Sequence, residues 1–219
     1  MKNTLIKLVA MLSLAASAQA AVTFSFANYT GSATGNNGLP FVDSAGASIL
    51  NSSNTLFASI GYLSAGGDSS PASVRSRFNA VDATPMNPII SPTNRNGLFN
   101  GPDYNSAGNV YPTGFQGKEV TVLIHDTSAF ASATAIAAFT FTGITFLAPD
   151  PVTFARVQNF QLTSASVPVV GILRTVTTQP ATPGATPFVN GVVLVPIPET
   201  STSLLGAIGA LALLRRRRN

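Results

Sequence analysis

The chain of 219 residues has no cysteine, no tryptophan and a single histidine. Without cysteine there is no disulfide scaffold, no thiol nucleophile and no lipid-modified N-terminal Cys. One histidine leaves a structural zinc site almost without ligands, and no cofactor is expected. With no Trp and only four Tyr, the flat stacking surfaces that usually mark a carbohydrate-binding module are scarce. Charge is scarce as well: 9% of residues are Asp, Glu, Lys or Arg, against roughly 25% in an average globular protein.

The charge that is present sits mainly at the ends. Lys2 and Lys7 stand in the first twenty residues with no acid, and Arg215, Arg216, Arg217 and Arg218 stand near the other end against Glu199. Between them six basic residues face seven acidic ones, so the net +4 is a property of the termini. A near-neutral middle has no long-range field to steer a phosphate backbone, and nucleic acid is excluded as a partner. With 45% hydrophobic residues, including 14 Phe, the middle has ample material for one packed domain.

Residues 1–20 carry the three parts of a secretory signal. Lys2 and Lys7 are the positive region, 8–16 the short apolar run, and Ala18-Gln19-Ala20 the small-x-small cleavage site, so that a mature chain starts at Ala21. Signal peptidase is the processing enzyme this implies. In the last 24 residues Pro196, Pro198, Glu199 and Thr200 are read as breaking the strand that enters through 192–195. Ser201 and Thr202 can cap a helix. Leu204, Leu205, Ile208, Leu211, Leu213 and Leu214 lie in an apolar run rich in Ala and Gly, which ends at the four arginines. A helix over 201–214 is about 21 Å long, short of the roughly 30 Å hydrocarbon core, so it spans only with snorkelling arginines and a thinned bilayer. The cations hold that end on the cytoplasmic side.

This order of Ile197-Pro198-Glu199-Thr200-Ser201, small-rich apolar helix and Arg cluster resembles the PEP-CTERM sorting segment of exported Gram-negative proteins. Pro198 and Glu199 match the first two positions of the family's Pro-Glu-Pro motif, and Thr200 stands where the second Pro usually does. The resemblance implies transient residence in the inner membrane and recognition by an exosortase, an integral-membrane cysteine-protease-like enzyme. It also implies delivery to the cell surface or the extracellular matrix, where bacteria with this system make polysaccharide. It covers about a tenth of the chain. The segment 118–141 is further similar to a strand–Asp–turn–strand hairpin of small passengers of that family. Ile197 to Ser201 also resembles the Gram-positive Leu-Pro-x-Thr-Gly signal but differs at its first and last positions. An unprocessed membrane anchor is the plain alternative.

The passenger, 21–195, is predicted to be mainly β, an antiparallel sandwich or flattened barrel with one short helix. Val22, Phe24 and Phe26 alternate with Thr23 and Ser25. Further strands are expected over 55–63, 120–125, 139–146 with a bulge at Gly143, 153–162, 167–176 and 188–195. The helix is predicted to start with Ser70 as cap and Pro71 in the first turn, to bury Val74, Phe78 and Val81, and to end at Ala83-Thr84-Pro85. Arg75 and Arg77 are placed on its solvated face. Residues 85–117, rich in Pro, Asn and Gly, read as a long loop with room for one or two short strands, and 179–187, with Pro180, Pro183 and Pro187, as a second extended loop.

Candidate chemistry in the passenger is thin. His125-Asp126 is the one pair that invites a hydrolase, but neighbours on a strand point to opposite faces and no Gly-x-Ser-x-Gly elbow is present. His125 is therefore expected as a strand-end surface or half-buried residue and no catalytic residue is assigned. Asp68 and Asp103 lie in turns without the alternating ligand spacing of an EF-hand, so no metal site is assigned either. Tyr104 and Tyr111, with Asn100, Asp103, Asn105 and Asn109, are the one place where a sugar could bind, which makes a secreted polysaccharide-binding module the rival class. Asn28-Tyr29-Thr30 matches a glycosylation acceptor by chance.

Overall fold

The computed structural model describes residues 21–32, 35–47, 49, 56–81, 104–105, 114–147, 155–177 and 189–198. Their elements are the strands β1 (Ala21–Ala27), β2 (Tyr29–Ser32), β3 (Gly35–Gly38) and β4 (Phe57–Leu63), the helix α1 (Pro71–Arg77), then β5 (Phe78–Ala80), β6 (Tyr104–Asn105), β7 (Glu119–His125), β8 (Ala135–Thr145), β9 (Ala155–Gln161), β10 (Ile172–Thr175), β11 (Asn190–Val193) and β12 (Val195–Pro196). The described chain is mainly β with one α-helix, as the composition and periodicity predict.

Five strands form one antiparallel sheet in the order β12-β8-β7-β4-β5. A second sheet, β6-β1-β9, pairs β1 with β9 in parallel from Ala21↔Ala155 to Ala27↔Gln161, a departure from the all-antiparallel expectation. β2 pairs with β3, and β10 with β11. One hydrophobic cluster joins Phe24, Phe26 and Phe160 of the second sheet to Ala58, Ile60, Val120, Val122, Ile124, Ala137 and Phe139 of the first. The opposite face of the five-stranded sheet carries Phe78, Leu123, Ile136 and Ala138, packed with Val74, Val170 and Ile197. β7 is therefore buried on both faces from Val120 to His125. Its alternation of Val and Ile with Thr, Leu and His separates two cores, not core from water. Thr121, 1% exposed, meets the cost of burial by a hydroxyl–hydroxyl bond to Thr140 at 2.9 Å.

The bulge falls at Gly143. Val120 faces Phe141 while Glu119 faces Thr145, so 142–144 are extra on β8. Gly143 takes a φ of +78°, a left-handed conformation that only glycine adopts without strain. Its N–H donates to the Glu119 carboxylate at 3.0 Å.

The helix begins as predicted and ends early. The Ser70 hydroxyl accepts from the Ser73 N–H, and Pro71 opens the first turn. The helix stops at Arg77 and the chain turns into β5, which pairs with β4 through Leu63↔Phe78, Tyr62↔Asn79 and Gly61↔Ala80. An open ladder along β4 offers backbone bonds that another helical turn would forgo. Val81 consequently packs against the cluster on the far side of the sheet from Val74 and Phe78. Arg75 and Arg77 are not simply solvated. Arg75 donates to the Ala133 carbonyl at 2.6 Å, and Arg77 reaches Ser64 O at 2.9 Å, Asp68 O at 2.7 Å and Ser73 Oγ at 3.3 Å. The fork of Arg77 thereby ties both ends of the loop before the helix to the helix itself.

β4 and β5 approach so closely at Gly61 that an added Cβ would lie 2.0 Å from the Asn79 carbonyl oxygen. Gly61→Ala is expected to push β5 away and lower the unfolding free energy by about 1–3 kcal/mol in urea titration. An unchanged midpoint would mean that β5 is not held there.

Candidate functional site

Two features carry whatever chemistry the described residues offer, and one turn joins them. The first is His125, at the end of β7. It is fully buried, which corrects the expectation of a surface or half-buried residue. Its Nδ1 lies 2.7 Å from the Thr127 carbonyl oxygen and its Nε2 2.9 Å from Ser59 Oγ on the neighbouring strand β4. A carbonyl only accepts, so Nδ1 carries the proton and Nε2 accepts from the Ser59 hydroxyl. Phe57 stacks on the imidazole at 6.0 Å and Phe130 meets it edge-on at 6.5 Å. Burial among these rings pushes the imidazole down to about pH 4, against the opposing pull of the Thr127 carbonyl and the Asp126 charge.

A hydroxyl bonded to an imidazole that is oriented by a third group is the layout of a serine hydrolase. Here the third group is a backbone carbonyl, and Ser59 Oγ, on a residue 3% exposed, is out of reach of an acyl substrate. Asp126 does not orient the imidazole. Its carboxylate accepts from the Thr134 N–H at 2.9 Å and from the Thr134 hydroxyl. Partial burial pushes this carboxyl up, but the bonds from Thr134 and from the Ala135 N–H outweigh it and hold the group below the usual carboxylate range.

The second feature is the C-terminal end of the described residues. Pro196 of β12 faces Ala135 and Val195 faces Ile136 at the edge of the five-stranded sheet. Proline is tolerated there because an edge residue can forgo its ladder donor. The fold thus continues through the expected strand break at Pro196. Ile197, 6% exposed, sits in the second cluster, and its N–H donates to Thr134 O at 2.7 Å. Thr134 is bonded through its amide and hydroxyl to Asp126 and through its carbonyl to Ile197. The turn after His125 is therefore the clasp that holds the last buried residue before Pro198, which is exposed.

Of the residues singled out in the sequence, Ala21 opens β1 and Pro198 lies just beyond the clasp. Ala18, Ala20, Glu199, Thr200, Leu204, Leu205, Ile208, Leu211, Leu213, Leu214, Arg215, Arg216, Arg217 and Arg218 lie outside the described residues. Tyr104 and Asn105 pair with β1 through Phe24 and Thr23, while Asn100, Asp103, Asn109 and Tyr111 lie outside the described residues. Tyr62 meets Phe115 edge-on at 4.9 Å, so its ring is packed against the core. Asp43 accepts from the amides of Ala45 and Ala47, and Asp68 from the hydroxyl and amide of Ser70, which lower its pKa. Both are turn residues. No group of three metal-ligating side chains occurs among the described residues. Asn28 is buried with its amide on Leu39 O at 3.0 Å, closed to modification. Sequence reasoning missed Ser59 and Thr134, which meet His125 and Ile197 only through folding.

The imidazole that stays neutral in the folded chain down to about pH 4 takes up a proton near 6.5 when unfolded. Stability is therefore full above pH 6.5 and falls as pH drops from there through 4, by about 3 kcal/mol in all. Denaturant midpoints across pH 7 to 4 are expected to show this slope, and His125→Gln to remove most of it. Asp126→Ala is expected to cost about 1–3 kcal/mol and to speed hydrogen exchange at the Ile197 amide. Unchanged exchange would separate the turn from the clasp. No family model, curated protein or solved structure matches this chain.

Proposed function

We propose that this chain is an exported, non-enzymatic surface or extracellular-matrix protein of a Gram-negative bacterium. Its domain is a two-sheet sandwich delivered by an N-terminal signal and released or transferred through a PEP-CTERM-like segment. In this reading the chemistry is done to the protein. Signal peptidase cuts after Ala20, and an exosortase acts at Pro198 and Glu199 while 204–214 reside in the inner membrane and Arg215 to Arg218 fix their orientation. Extracellular polysaccharide is the surrounding it is delivered to.

The observation that carries the reading is the abrupt change of character after the clasp. Ile197 is buried, Pro198 is exposed, and the next residues by sequence are Glu199-Thr200, then the apolar run, then four arginines. A processing enzyme needs its motif clear of the folded body, and the motif begins at the exposed residue that follows the buried Ile197. The non-enzymatic part of the proposal is supported by the sealed Ser59–His125 pair and by carboxylates engaged in turns. Intact-mass measurement of the protein recovered from the cell surface is expected to give a chain that starts at Ala21 and has lost Arg215 to Arg218. Recovery with the four arginines present would rule out processing and leave the unprocessed anchor.

A further inference from the structure

Single exposed hydrophobic residues are ordinary on a protein surface, whereas a contiguous group is not. Within seven residues Val167 is 75% exposed, Val169 36%, Ile172 44% and Leu173 42%. Between 157 and 198 the sequence has one charge, Arg174, exposed on β10. Val169 donates to Ala138 O at 2.7 Å and Val170 forms a bridge with Ala138, so this segment follows the same edge of β8 that β12 occupies at Ala135 and Ile136. Ile172 then pairs with Val193. Pro198 is only five positions past Val193, at most about 18 Å of extended chain, so the patch lies near Pro198.

We propose that β10 and the segment before it rest on the lipid surface of the membrane that holds the apolar run. This rests on the membrane reading of 204–214 given above. That run starts six residues past Pro198, which brings the neighbourhood of Pro198 within reach of the headgroups whenever the run is embedded. Ile172 and Leu173 point to opposite sides of the ribbon and are both exposed, so its outer edge is what meets the lipid. Among the described residues no strand pairs with that edge, and at headgroup depth water still satisfies its backbone groups, which the hydrocarbon centre would not allow. Arg174 suits anionic lipid phosphates, with its stem among apolar neighbours and its guanidinium at the surface. The same residue disfavours edge pairing with a second copy, because antiparallel self-pairing would bring two Arg174 side chains close.

Because the chain has no cysteine, single Cys variants give unique labels. The full chain is reconstituted in vesicles of phosphatidylethanolamine and phosphatidylglycerol doped with doxyl-labelled lipid. An environment-sensitive NBD label is placed at Val167→Cys, Ile172→Cys, Ala72→Cys on the exposed surface of α1, or Ile208→Cys in the apolar run. Val167→Cys and Ile172→Cys are expected to be quenched several-fold more than Ala72→Cys, with blue-shifted emission. Quenching at either position no greater than at Ala72→Cys overturns the proposal. In that event strong quenching at Ile208→Cys leaves the membrane reading of the tail standing, and its absence removes both.

Discussion

Phe146 lies edge-on against Phe24 at 5.6 Å and against Phe115 at 5.4 Å, and Phe24 in turn stacks on Phe160 at 6.0 Å. These rings come from the end of β8, from β1, from the turn before β7 and from β9. In a chain with no disulfide and 9% charge, aromatic burial between the two sheets is the main cohesive force. Everything else is registered on it. The parallel pairing of β1 with β9 sets Phe24 and Phe26 near Phe160 on one side of the cluster, while the bulge at Gly143 brings Phe146 back in after three extra residues. Gln158 adds a polar link, its amide donating to Thr145 O at 3.0 Å.

Burying β7 on both faces has a consequence for its polar residues. Thr121 and His125 must find partners within the sheet, and the partner of His125 is Ser59. The imidazole is then neutral, and the turn it ends in is pinned by Thr127. That turn returns to Thr134, whose carbonyl holds Ile197. A buried group that looks catalytic in its bonding is thus linked through this turn to Ile197, the last buried residue among those described. The described chain ends beside an edge strand that contains proline, and an edge position tolerates the missing ladder donor.

Local chemistry made much of this legible in the sequence. Alternation placed β1, β4, β9 and β11 near their observed positions, Ser70-Pro71 marked the start of α1, and Gly143 marked the bulge. What was not legible is non-local. Helical spacing at Val74, Phe78 and Val81 cannot reveal that β4 has an open ladder waiting for 78–80. Residues 120–125 have the same pattern whether water or a second core lies beyond them. The parallel partner of β1 is more than a hundred residues away. Ser59 and His125 stand 66 residues apart, so a sequence that displayed His125-Asp126 pointed to the wrong neighbour. Proline at 196 reads as a strand break, but a sheet edge accommodates it, and the described chain continues in the fold to Ile197.

Ile197 is the last buried residue among those described, and the proposed function requires the apolar, cationic segment after it to lie outside the folding unit. Equilibrium urea unfolding of a chain spanning 21–198, set against one spanning 21–219, tests this directly. Equal midpoints and equal slopes are expected. A truncated chain that has lost several kcal/mol, or no longer unfolds cooperatively, would mean that the leucines of 204–214 belong to the core, and the sorting reading would fall.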